Sequence, residues 1–168
     1  FERRKKYRIE AVPGVERVEE FNASYTMWKL PSGGNTSVQV VGIDTHSQLA
    51  PRLDLVEGRL EDLHNQDAVI IDEGERAKLG GVKLGDTVEI MERRATVVGF
   101  TRGMQSFTTT PFIFTSLRRS HDYGWVTGAG RTAIYFLVKV APGFNPENVR
   151  HAIAEAVPDI EAHTREGF

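Results

Sequence analysis

Short runs of β-branched and aromatic residues, interrupted by glycine, proline and asparagine, dominate this chain and predict strands joined by turns. Val15 to Leu30 is rich in Val, Phe, Tyr, Thr and Trp. With Val18, Phe21, Tyr25 and Trp28 among its larger side chains, it reads as one long strand bent near Asn22. Pro31-Ser32-Gly33-Gly34-Asn35 is a hairpin-type turn, since glycine supplies the positive φ angles that such turns need. Thr36 to Ile43 is the returning strand, and residues 48–65 read as loop. Further strands are predicted at Ala68–Asp72, Thr87–Met91, Ala95–Thr101 and Phe112–Thr115, with a brief helix at Glu73–Leu79 closed by Gly80. Tyr123 to Arg131 holds three glycines and no periodicity, which marks a loop or hinge.

Apart from the brief helix at Glu73–Leu79, helical signals lie at the two ends. Phe1 to Ala11 is charged and stops before Pro13-Gly14, as a terminal helix of a turn or two would. Thr132 to Val140 alternates through Ile134, Phe136 and Val138 and reads as a strand. Asn145-Pro146 then opens a helix, because asparagine caps free backbone amides and proline is tolerated in the first helical turn. Val149, Ile153 and Ala156 recur at helical spacing and give it one apolar face; Pro158 ends it, and Ile160–Thr164 is predicted as a closing strand. A strand–helix–strand tail completes a split α+β sheet, so it is expected to pair with the Val15–Ile43 hairpin. The fold class is therefore α+β and discontinuous. Residues 1–47 plus 128–168 form one subdomain, and residues 48–127 form an inserted β-rich one.

Composition narrows the function. The chain has 168 residues, 40% apolar and 26% charged, enough to bury a core. Its 21 basic and 23 acidic residues give a net charge of -2, so no broad footprint for nucleic acid exists. The dense basic run Arg3-Arg4-Lys5-Lys6 reads as a solvated helix face or a membrane-proximal segment. With no cysteine, disulfide scaffolds, thiolate metal sites and cysteine nucleophiles are excluded. No apolar run approaches the roughly 18–20 residues that cross a bilayer. A start at Phe1 without a signal peptide is expected of a piece cut from a longer protein whose flanks hold the membrane spans.

Candidate chemistry is sparse. None of His46, His64, His121, His151 and His163 forms a local metal motif. Ser106, Ser116 and Ser120 lie near His121 and Asp122, but no nucleophile elbow is present. The acidic neighbours Glu19-Glu20, Glu61-Asp62 and Asp72-Glu73 would point to opposite faces of a strand, so they read as solvated rather than proton-sharing pairs. Gly128-Ala129-Gly130 resembles the start of a dinucleotide fingerprint but precedes strand-like residues, the wrong context. Asn22 and Asn35 each open a formal glycosylation triplet. No catalytic residue, cofactor or metal site is expected. Met104, Phe107, Phe112, Phe114, Tyr123 and Trp125 bring apolar bulk to a region rich in Gly, Ser and Thr. Of these, Met104, Phe107 and Trp125 are the candidate partner-contact residues.

The order of motifs resembles a known family. Val56-Glu57-Gly58-Arg59-Leu60, Asp67-Ala68-Val69-Ile70-Ile71-Asp72, Leu79-Gly80, Gly85-Asp86-Thr87-Val88-Glu89-Ile90 and Ala95-Thr96-Val97-Val98-Gly99-Phe100 follow one another as in the periplasmic core domain of MacB/FtsX-type ABC transporter permeases. Tyr25-Thr26-Met27-Trp28-Lys29-Leu30-Pro31, Phe100-Thr101-Arg102-Gly103-Met104-Gln105-Ser106-Phe107 and the terminal Thr164-Arg165-Glu166-Gly167-Phe168 look like the DevC-type subgroup, the permeases of heterocyst glycolipid exporters and their relatives. Val40-Val41-Gly42-Ile43-Asp44 is similar to another family segment, with Thr45 where a proline is usual.

That resemblance implies a periplasmic domain of a bacterial inner-membrane protein, set between the first two transmembrane helices. It implies a split porter-like α+β subdomain with an inserted Sabre-like one, an ATPase on a separate chain or domain, and no enzymatic activity of this part. It further implies docking of a membrane-fusion adaptor of HlyD/DevB type, a homodimer in the full-length permease, and outward relay of membrane-helix movement. Two other readings remain open at this point. A β-rich enzyme or ligand-binding domain would show a deep pocket of converging polar groups. A nucleic-acid module would bind with steep salt dependence.

Overall fold

The structure is a computed structural model that describes residues 2–104, 110–124 and 133–164. It divides into two compact units, Phe1–Glu19 with Phe136–Phe168, and Glu20–Tyr135. The class is α+β, and the chain does return to its first unit at the end. The division falls at 19/20 and 135/136, whereas the sequence reading places it at 47/48 and 127/128.

The first unit holds α1 (Glu2–Glu10), the start of β1 (Val15–Lys29), the main part of β8 (Ala133–Val140) and α3 (Pro146–Ala156). β8 pairs with β1. Ala141 donates its amide to Gly14 O at 2.8 Å, and Lys139 Nζ meets Glu16 Oε1 at 2.8 Å. The Asn145 side chain accepts from the amides of Glu147 and Asn148, and Pro146 sits in the first helical turn, as the sequence predicts. Ile9, Val12, Val18, Val149, Ile153 and Val157 form the core of this unit. Ile160–Thr164 belongs to no ladder and corrects the expected closing strand. Ile160 and Ala162 nevertheless pack on the core, so their alternation records burial of one face without a strand neighbour.

The second unit is built on β2 (Asn35–Ile43), β3 (Leu55–Glu57), β4 (Ala68–Asp72), β5 (Thr87–Ile90), β6 (Arg93–Thr101) and β7 (Phe112–Ser116), together with the rest of β1. Its pairings close a ring in the order β1–β2–β7–β4–β6–β5–β1. The β2–β7 and β4–β6 pairs are parallel, and the other pairs of the ring are antiparallel. Closure between β5 and β1 rests on Trp28 opposite Ile90, with Met91 donating its amide to Met27 O at 3.2 Å. Alternate residues fill the interior, among them Trp28, Val38, Val40, Val69, Ile71, Val97, Phe100 and Ile113. The outward-facing Val41, Ile43, Ile70 and Phe114 are covered by Leu53, Leu55, Leu60 and Leu63. β4 is buried on both sides, which explains its unbroken apolar run.

The loop expected at 48–65 is partly ordered into β3, antiparallel to β6, and a 3-10 turn at Leu60–His64. Between them Gly58 has φ +79°, and a Cβ there would lie 2.1 Å from Val98 O. The Glu57-Gly58-Arg59 motif is therefore a steric requirement for laying β3 against β6. The brief helix expected at Glu73–Leu79 is a 3-10 turn over Glu73–Glu75 continued by turns to Gly80. A helix absent from the sequence reading, α2 (Leu117–Tyr123), follows β7; Ser116 Oγ caps it by accepting from Arg119 N at 3.2 Å.

Candidate interaction surface

Two polar knots fix the surface around the ring. Asp72 is buried, and its carboxylate accepts from Gly74 N (3.0 Å), Thr101 Oγ1 (3.1 Å) and Met104 N (2.8 Å). These bonds tie the end of β4 to the loop that leaves β6. Around α2, Arg119 reaches Asp67 at 2.6 Å and Asp122 at 3.0 Å while its guanidinium lies 4.9 Å from the Tyr123 ring. Tyr123 is fully buried and donates its hydroxyl to Arg94 O at 2.7 Å. Burial pushes its phenol above the ordinary value, against the opposing pull of Arg119.

The residues singled out for catalysis are held in structural roles. Ser116 caps α2, Ser120 donates to Leu117 O at 2.6 Å, and Asp122 pairs with Arg119. His121 Nδ1 lies 3.4 Å from Asn22 Nδ2. Ser106 and the Gly128–Gly130 stretch lie outside the described residues. Asp62 accepts from Arg59 N ahead of its 3-10 turn, and Glu73 pairs with Arg102. His46 and His64, distant in sequence, stack with ring centroids 5.5 Å apart, and His64 Nε2 contacts Thr45 Oγ1 at 2.7 Å. Among the described residues no three His, Asp or Glu side chains are grouped to hold a metal ion. Asn22 is fully buried, so its glycosylation triplet is sterically closed, whereas Asn35 is exposed at the start of β2.

Of the three candidate contact residues, Met104 is half-buried against the outer cluster that contains Phe112 and Phe114. Phe107 and Trp125 lie outside the described residues. The sheet exposes aromatic area that the sequence reading assigned to strands without a direction. Tyr25 is 53% exposed. It lies opposite Gln39, which in turn lies opposite the half-buried Phe112, so the three share one face across β1, β2 and β7. Phe21, four residues before Tyr25 on the same face, meets Tyr135 with ring centroids 5.9 Å apart, and Tyr135 is 42% exposed. No described helix is long and apolar enough to cross a membrane.

Residues 2–156 match the model of the MacB-like periplasmic core domain. The chain belongs to that family. It is thus a periplasmic domain of a MacB-like ABC transporter permease, and the family is one of transporter domains rather than enzymes. Solved structures share its fold. The periplasmic region of MacB from Actinobacillus actinomycetemcomitans aligns with a TM-score of 0.61 at 19% identity, covering 93% of this chain and 72% of that one. The extracellular domain of the noncanonic ABC-type transporter YknZ from Gram-positive bacteria gives 0.64 at 18%, covering 93% and 81%. A domain of a putative permease from Porphyromonas gingivalis gives 0.57 at 19%, covering 89% and 72%. No curated protein matches the chain.

Proposed function

We propose that this MacB-like domain docks a membrane-fusion adaptor protein of HlyD/DevB type and transmits ATP-driven movement of the membrane helices to it. The observation that carries the reading is the exposure of Tyr25 and Tyr135 beside the half-buried Phe21 and Phe112, on a ring whose outer apolar groups are otherwise mostly packed. A relay needs stiff elements more than titrating groups, and the closed ring with its covered outer layer supplies one. Met104, held through Asp72, packs in the outer cluster that also contains Phe21 and Phe112, and this reading takes Met104, Phe107 and Trp125 as further contacts.

The ATPase is carried by a separate chain or domain, and the full-length permease of the bacterial inner membrane is a homodimer of the DevC-type subgroup. In this reading the unit of Phe1–Glu19 with Phe136–Phe168 is the porter-like subdomain and Glu20–Tyr135 the Sabre-like one. Placement of the first and last described segments in one unit supports a domain carried between two membrane-embedded segments. The test is the affinity of the full-length permease for its adaptor, with Tyr25→Ser and Tyr135→Ser combined. Loss of two aromatic anchors should weaken binding at least about 30-fold with an unchanged melting temperature. Wild-type affinity in the double variant would remove this face from the interface.

A further inference from the structure

We infer that α1 carries a contact site for the phosphate group of an anionic phospholipid, formed by Arg4, Lys5 and Arg8 around a surface cavity of about 290 Å³ that Asp159 also lines. The inference rests on the reading of this chain as a domain held next to a membrane.

At about 100° per residue, Arg4, Arg8 and Lys5 fall within one arc of the helix, and Tyr7 lies about 60° beyond Arg4 on the side away from the buried Ile9. Tyr7 is 67% exposed. A tyrosine beside lysine and arginine is the side-chain combination that settles at the headgroup level of a bilayer. Among the described residues the cavity is lined by Arg4, Lys5 and Arg8 together with the carboxylate of Asp159. Lys6 lies 3.8 Å from Glu10, so that acid is opposed by a cation of its own.

A second, more open cavity of about 430 Å³ shares Arg8 and continues over Ala11, Val12, Pro13, Ala152 and Ala156, with Glu155 at its wall. The shared Arg8 sets a partly apolar lining beside the basic residues, an arrangement that suits an amphiphile with a phosphate and a glycerol–acyl part. A free phosphate needs only the basic residues. The chain as a whole carries net charge -2, so attraction to an anionic surface has to come from this local patch.

Partition of the 168-residue chain onto phosphatidylcholine vesicles with and without phosphatidylglycerol tests the site. The wild type should bind only the anionic vesicles, and added salt should release it. The combined Arg4→Gln, Lys5→Gln and Arg8→Gln variant should lose partition on the order of 100-fold. Asp159→Asn should gain several-fold, because it removes the opposing charge. A control with the same change in net charge at exposed positions of the other unit, Lys83→Gln, Arg93→Gln and Arg118→Gln, should bind as the wild type does.

Melting temperatures establish that each variant is folded. Binding by the triple variant equal to wild type, equal loss in the control, or reduced binding by Asp159→Asn would each overturn the site. Displacement from vesicles by inorganic phosphate, at matched ionic strength, would assign the cavity to free phosphate and overturn the lipid. The adaptor experiment reads residues of Glu20–Tyr135, so either proposal can fail without the other.

Discussion

Asp72 shows how a single side chain decides local geometry. Its two oxygens meet three donors, Gly74 N on one side and Thr101 Oγ1 and Met104 N on the other. An amide in its place would turn its NH2 group toward a backbone amide donor, Gly74 N or Met104 N, whichever way it flips. Asp72→Asn should therefore cost about 2 kcal/mol, lowering the melting temperature by roughly 4–8 °C for a chain of this size. An unchanged melting temperature would mean that these bonds do not hold the loop. Gly58 and Tyr25 are the other instructive residues. The Gly58-containing motif was legible as a pattern, but its cause, close approach of Val98 O, needs the β3–β6 pairing. Tyr25 was legible as a strand residue but not as an exposed one. β1 carries bulky groups on both faces, with Phe21 and Tyr25 on one and Trp28 on the other, and only the partner strands decide which side is covered.

At the scale of elements, local chemistry marked those whose ends are spelled by their own residues. The Asn145-Pro146 start of α3, the Pro31–Gly34 turn and the all-buried β4 fall where the pattern put them. Elements defined by distant partners were missed. α2 is seven residues long, with only Ser116 as a signal, and it is held by Tyr123 reaching Arg94. The turn between β5 and β6 uses Met91 (φ 48°) and Glu92 (φ 61°), where asparagine and glycine are the usual choices.

The anchoring of α2 also has a pH signature. Because burial raises the Tyr123 phenol above its unfolded value, its stabilisation is complete below the unfolded pKa of about 10 and is lost as pH rises through the folded value. Denaturation should show wild type about 1 kcal/mol more stable than Tyr123→Phe near neutrality. That advantage should shrink in strongly alkaline solution. A difference independent of pH would contradict the burial of a neutral phenol.

For the molecule as a whole, the α+β class and the return of the chain to its first unit were legible, because strand-like and helical patterns occupy distinct stretches. Closure of the second unit into a ring was not. It depends on two parallel pairings and on one contact of Trp28 with Ile90, none of which leaves a periodicity in the sequence. The outward aromatic face and the basic pocket on α1 belong to different units, which suits separate contacts with an adaptor and with a membrane surface. The most direct measurement is photo-cross-linking in the full-length permease with its adaptor, with the reactive side chain placed at Tyr25 and, as a control, at the exposed Leu84. Adaptor adducts at Tyr25 and none at Leu84 are predicted; adducts absent from Tyr25, or equal at both positions, would contradict docking through the aromatic face.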